Sequence, residues 1–152
     1  MVANVTPAAI EDWPLTALLR GARAVFAAAI RRALADAGYG DLPPNGPYVI
    51  GAMSRTSAPL ADVIVQLSVS KQAAGQLVES LVARGYLDRA ADPDDRRRLV
   101  LELTTRGTDA AHVIRTVVDS LEAEMETAAG ADHVRVVREV LGWLIRRGAA
   151  DA

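Results

Sequence analysis

Two clusters in this sequence carry side chains suited to chemistry on a polyanion. The first is Ser70-Lys71-Gln72-Ala73-Ala74-Gly75-Gln76; the second is Asp92-Pro93-Asp94-Asp95-Arg96-Arg97-Arg98, the densest run of charge in the chain. Glutamine can pair bidentately with adenine, lysine can reach guanine or a phosphate, and arginine suits the negative potential of a narrow minor groove. The plainer alternatives stay open beside these readings. An exposed Lys/Gln face can be simply solvated, and Asp/Arg pairs in a loop can neutralise one another with little effect on stability. Other chemistries find little support. His112 and His133 lie on helical stretches with no adjacent nucleophile or metal-ligand motif. The carboxylates at Asp92, Asp94 and Asp95 adjoin arginines, which disfavours a metal ion. Cysteine is absent, so disulfides, thiolate metal sites and thiol redox switches are excluded. The expectation is a protein that is not an enzyme and needs no cofactor or metal.

The elements that must position the two clusters follow from periodicity. From Trp13 to Gly38, apolar residues recur every three or four positions, predicting an amphipathic helix over 13–38. Asp41 to Pro47 is a turn-rich connector, and Pro47 suits the first turn of a short helix to about Ser54. Two helical stretches follow, about Pro59–Leu67 and Ser70–Val82, separated by Ser68 and Val69 in the spacing of a helix–turn–helix. Ser70 is a good N-cap, and Gly85 suits a left-handed C-cap. On the second helix, Lys71, Gln72, Gly75, Gln76 and Glu79 lie opposite the Leu77/Leu81 stripe. Gly75 costs about 1 kcal/mol against alanine inside a helix; close approach to DNA and close helix packing are the two explanations. Tyr86–Arg89 and Leu99–Leu103 suit short strands, and the segment 90–98 between them is a charged hairpin tip. Thr104 or Thr105 can cap a final helical region, about 108–127 and, after Gly130, about 132–147. A helix–turn–helix followed by a two-stranded hairpin is a winged helix: mainly α, with a small β-hairpin wing.

Composition bounds this reading without carrying it. The chain of 152 residues, 51% apolar and 24% charged, fits one domain over 1–152. Its net charge of −2 does not advertise a nucleic-acid binder. The stretch 54–106 holds eight basic and seven acidic residues, the remainder nine and twelve, so the asymmetry has the right sign but is small. The N-terminus shows no secretory pattern, and no apolar run approaches the ~20 residues that span a bilayer. A cytoplasmic protein without a membrane partner is expected.

The sequence resembles the MarR family of bacterial regulators. The resemblance rests on Ser70–Val78, on Leu81-Val82-Ala83-Arg84-Gly85-Tyr86-Leu87, on Asp92–Arg97, and on Leu103-Thr104-Thr105-Arg106-Gly107. The family's Asp-x-Arg wing signature falls on Asp95 and Arg97, at its proper distance before Leu-Thr-x-x-Gly. The resemblance implies a winged helix-turn-helix lobe over 47–106, flanked by N- and C-terminal dimerisation helices at 13–38 and 108–147 that interlock with a second copy. It implies binding to double-stranded DNA at a pseudo-palindromic operator, through Ser70, Lys71, Gln72, Gly75, Gln76, Arg96, Arg97 and Arg98, with Asp95 orienting the wing. A repressor released by a small lipophilic or phenolic effector is the family pattern, with Trp13, Tyr48 and Met53 as candidate pocket residues. Two departures stand out: Pro59 with Asp62-Val63-Ile64 where members often have a Ser/Thr cap and Glu-Leu-Ala, and Gln76 where many carry arginine. The alternative reading is a winged-helix protein-interaction module with weak or non-specific DNA binding.

Overall fold

The computed structural model describes residues 10, 12–55, 70–91 and 99–150. The expected stretch 59–67 and the wing tip 92–98 lie outside the described residues. The chain divides into two compact units, Met1–Arg115 and Thr116–Ala152.

The first unit opens with α1, Leu15–Asp36. Its end is fixed by Gly38, whose φ of 86° is open to glycine without strain. The Tyr39 amide then donates to the Leu34 carbonyl at 2.7 Å, and Gly38 N–H to Ala35 O at 3.1 Å, closing the helix with a Schellman turn. Helix α2, Gly46–Arg55, carries Pro47 in its first turn and buries Val49 and Ile50 completely. Helix α3, Lys71–Ala83, is capped by Ser70 Oγ, which accepts from the Ala73 amide at 3.2 Å. A second Schellman turn ends it at Gly85, φ 71°, with the Tyr86 amide donating to Leu81 O at 2.9 Å.

Strand β1, Leu87–Ala91, pairs antiparallel with β2, Leu99–Leu103, from Leu87↔Leu103 to Ala91↔Leu99. The first strand starts one residue later than the sequence pattern suggests, because Tyr86 is taken up by the turn that terminates α3. Helix α4, Thr105–Ala129, begins three residues before the expected Thr108. Thr104 is its cap: Thr104 Oγ1 accepts from the Gly107 amide at 3.0 Å. The core of this unit gathers Leu34, Val49, Ile50, Leu81, Tyr86, Leu87, Ala110, Ala111 and Ile114, all buried. The fold class is the expected one, mainly helical with a single antiparallel hairpin among the described residues.

In the second unit the rest of α4 turns at Gly130, φ 89°, into α5, Ala131–Ala150. His133 Nδ1 meets the Ala129 carbonyl at 2.7 Å, so this histidine serves the end of α4. Arg138 pairs with Glu122 across the two helices. Val134 is buried, whereas Val136, Val137, Val140, Trp143, Leu144 and Ile145 are 45–59% exposed. No helix among the described residues is long and apolar enough to cross a membrane.

Candidate nucleic-acid interface

The amphipathic character of α3 decides what it presents. Ala74 and Leu81 are buried and Leu77, Val78 and Val82 half-buried, which turns Lys71, Gln72, Gly75, Gln76 and Glu79 outward. The five residues expected to face outward all do so. A Cβ built on Gly75 would meet no described atom within 4 Å. Close packing of α3 against another described element therefore does not explain that glycine, and among the described residues the surface beside Gln72 and Gln76 stays low and open.

The outward face is braced to the wing. Arg89 on β1 forms an ion pair with Glu79 of α3. Both side chains are well exposed, so the pair adds little to stability. Behind it lies a denser polar cluster that sequence reasoning missed. Tyr86 is completely buried, yet its hydroxyl donates to Asp41 Oδ1 at 2.5 Å. The Arg106 guanidinium lies 4.4 Å from the centre of the Tyr86 ring, a cation–π distance. One of its nitrogens donates to Asp41 Oδ1 and the other to the Arg84 carbonyl, each at 2.9 Å. Arg106 thus satisfies an otherwise open carbonyl just past the end of α3. Arg84 itself stands 4.0 Å from the second Asp41 oxygen.

These contacts shift two acidities. The hydrogen bond from Tyr86 holds the Asp41 carboxyl below its usual range, against a smaller opposing effect of burial and with help from Arg106. Burial, then the bond to Asp41, pushes the Tyr86 phenol up from 10.0 to about 12. Phenol and carboxylate therefore stay neutral and charged, respectively, through the ordinary pH range.

The Leu103–Gly107 motif acquires a physical reason at the same place. Thr104 Oγ1 donates to the Gly85 carbonyl at 2.6 Å, and the Thr104 amide to Tyr86 O at 3.1 Å. A Cβ on Gly107 would fall 2.1 Å from that Tyr86 oxygen. Only glycine lets the first turn of α4 approach the root of the wing so closely. The signal in the sequence was the glycine itself; its partner, twenty-one positions earlier, left none.

The remaining expected site residues divide simply. Asp95, Arg96, Arg97 and Arg98 lie outside the described residues. Trp13 stands before α1 and Tyr48 on α2, 44% and 45% exposed, while Met53 on α2 is half-buried. Among the described residues no group of three His, Asp or Glu side chains is placed to hold a metal ion.

A capped, outward-facing polar helix followed by an antiparallel hairpin is the recognition-helix and wing arrangement of a winged-helix fold. Residues 41–98 match the model of the MarR family. Solved structures agree in fold. The MarR regulator of Oenococcus oeni PSU-1 superposes with a TM-score of 0.66 at 18% identity, over 88% of this chain and 99% of that one. A single-residue mutant of MepR, from a multidrug-resistant S. aureus clinical isolate, gives 0.67 at 16% identity, over 90% and 98%. The transcriptional repressor CouR, solved on a 23-mer DNA duplex, gives 0.65 at 18% identity, over 94% and 99%. No curated protein sequence matches the chain. The likeness read from the sequence is matched over residues 41–98, and the solved MarR regulators share the fold.

Proposed function

We propose that this protein is a cytoplasmic transcription regulator that binds double-stranded DNA sequence-specifically as a homodimer. The observation that carries the reading is the outward face of α3, where Lys71, Gln72 and Gln76 flank the bare backbone at Gly75 behind the Ser70 cap. A helix so presented fits a major groove, whose base edges glutamine and lysine can read. Arg96, Arg97 and Arg98, with Asp95 orienting them, are assigned to the neighbouring minor groove. CouR, which shares the fold, is a repressor held on DNA in its solved complex; the same role is assigned here.

The dimer is supported by α5, whose apolar stripe from Val136 to Ile145 is 45–59% exposed. Two copies would set two recognition helices on one face of a pseudo-palindrome. A small lipophilic or phenolic effector, with Trp13, Tyr48 and Met53 as candidate contacts, would release DNA by favouring a state with the helices differently spaced.

The test is a titration with the duplex upstream of the protein's own gene and with a random duplex, at two salt concentrations. The regulator reading expects a preference of roughly a thousandfold or more for its own site, with affinity falling steeply as salt rises. Equal, feeble binding to both would leave a protein-interaction module as the better description.

A further inference from the structure

We propose that Asp41 is a positioning residue that locks the root of the recognition helix and of the wing to the turn ending α1. The proposal rests on the DNA-binding reading above and adds to it the residue that sets the aim of the binding elements. Asp41 lies three positions past Gly38, on a turn stiffened by the Tyr39–Leu34 bond, by the Leu42 amide donating to Tyr39 O at 3.3 Å, and by Pro43 and Pro44. Its orientation is therefore tied to the end of α1.

The side-chain donors that converge on Asp41 come from the other side. Tyr86 and Arg106 share Oδ1, and Arg84 faces Oδ2. Tyr86 closes the Schellman turn of α3 and is the residue immediately before β1, so both DNA-facing elements leave from its backbone. The Tyr86 ring cannot yield independently. It is fully enclosed, with Tyr39 edge-on at 6.4 Å and the Arg106 guanidinium on its face. Of the contacts that join the α1 turn to the point where helix and wing diverge, the Asp41 hydrogen bond is the directional one, beside the Tyr39 ring contact.

Base readout demands placement to within about 0.5 Å, whereas phosphate contacts tolerate more slack. Loosening this anchor should thus cost discrimination between sequences before it costs general attraction to DNA.

The full-length wild type, Asp41→Asn and Tyr86→Phe are titrated with two duplexes: the one the wild type enriches most from a randomised library, and a scrambled version of it. Each variant should bind the enriched duplex roughly tenfold more weakly, with the scrambled duplex unchanged within about twofold. The double variant should be no weaker than the weaker single, since both act through one bond. Without DNA, amide exchange at Gly85–Leu87 should quicken in both. Unchanged affinity for the enriched duplex, equal loss on both duplexes, or unchanged exchange overturns the positioning role alone. If the wild type enriches no duplex, the DNA-binding reading fails and the positioning role with it.

Discussion

Replacing Tyr86 by phenylalanine deletes one oxygen atom while keeping the ring that fills the core. The oxygen donates to Asp41 at 2.5 Å from a residue with no exposed surface. At neutral pH its removal should cost about 1 kcal/mol, less than the usual value for a bond to a charged acceptor, because the Asp41 side chain is 39% exposed and keeps Arg106. Alkaline pH makes the sharper test. Folding raises the phenol from 10.0 to about 12. The folded state thus keeps its proton longer than the unfolded chain does. Stability from this group is complete below pH 10 and drains away as pH climbs towards 12. A shift of about two units corresponds to about 3 kcal/mol; solvent on the Asp41 side screens the pair, so about 2 kcal/mol is expected. Urea unfolding of wild type and Tyr86→Phe, in steps from about pH 8 upward, should show the wild type ahead by about 1 kcal/mol at first. The two curves should then cross, with the variant ahead by a similar margin near pH 12. Parallel curves would refute the buried phenol–carboxylate bond as the cause.

Three further outcomes follow from the geometry. Gly107→Ala drives a methyl group to within 2.1 Å of the Tyr86 carbonyl, and no flexible side chain can yield there; denaturant titration should show a loss of about 3 kcal/mol or more, and a loss below about 1 kcal/mol would contradict that approach. Ser70→Ala removes the cap bond to Ala73 and should lower stability by about 1 kcal/mol, seen as a reduced melting temperature; an unchanged midpoint would mean that the cap is idle. Asp41 is held below its ordinary pKa by Tyr86 and Arg106, so its contribution is present above the unfolded carboxylate's value and is lost as pH falls beneath it. Acid unfolding of Asp41→Asn should therefore be less steep than that of the wild type, and identical acid limbs would count against the cluster.

The contrast between Ser70 and Tyr86 shows which physics the sequence exposes. Ser70, Gly38, Gly85 and Gly130 were legible because caps and left-handed turns are decided within about four or five residues of chain. The outward set on α3 was legible for the same reason, since helical periodicity alone separates Lys71, Gln72, Gly75, Gln76 and Glu79 from Leu77 and Leu81. Tyr86 read as the first strand residue because local alternation cannot tell a strand from the residue that closes a helix. The expected α4 start at about Thr108 lies three residues late although Thr104 was an expected cap, and what requires Gly107 in the first turn is a carbonyl contributed by another element. Asp41 left no trace at all: its partners Tyr86 and Arg106 lie 45 and 65 positions away, and one aspartate in a turn resembles any other. Asp95, the three wing arginines and the 59–67 stretch lie outside the described residues, so their reading stays where sequence put it.

The exposed stripe of α5 includes Trp143, 55% exposed beneath the Arg147 guanidinium at 5.8 Å. The chain's other tryptophan, Trp13, is 44% exposed. Both indoles therefore face water in the isolated chain, where solvent relaxation draws their emission towards longer wavelengths and dissolved quenchers can reach them. Covering either face, by a second copy at α5 or by an aromatic molecule near Trp13, would announce itself as a blue shift or as lost quenching. The protein carries its own optical gauge for the surfaces on which its assembly and its effector are proposed to act, and replacing the two indoles one at a time would tell the signals apart.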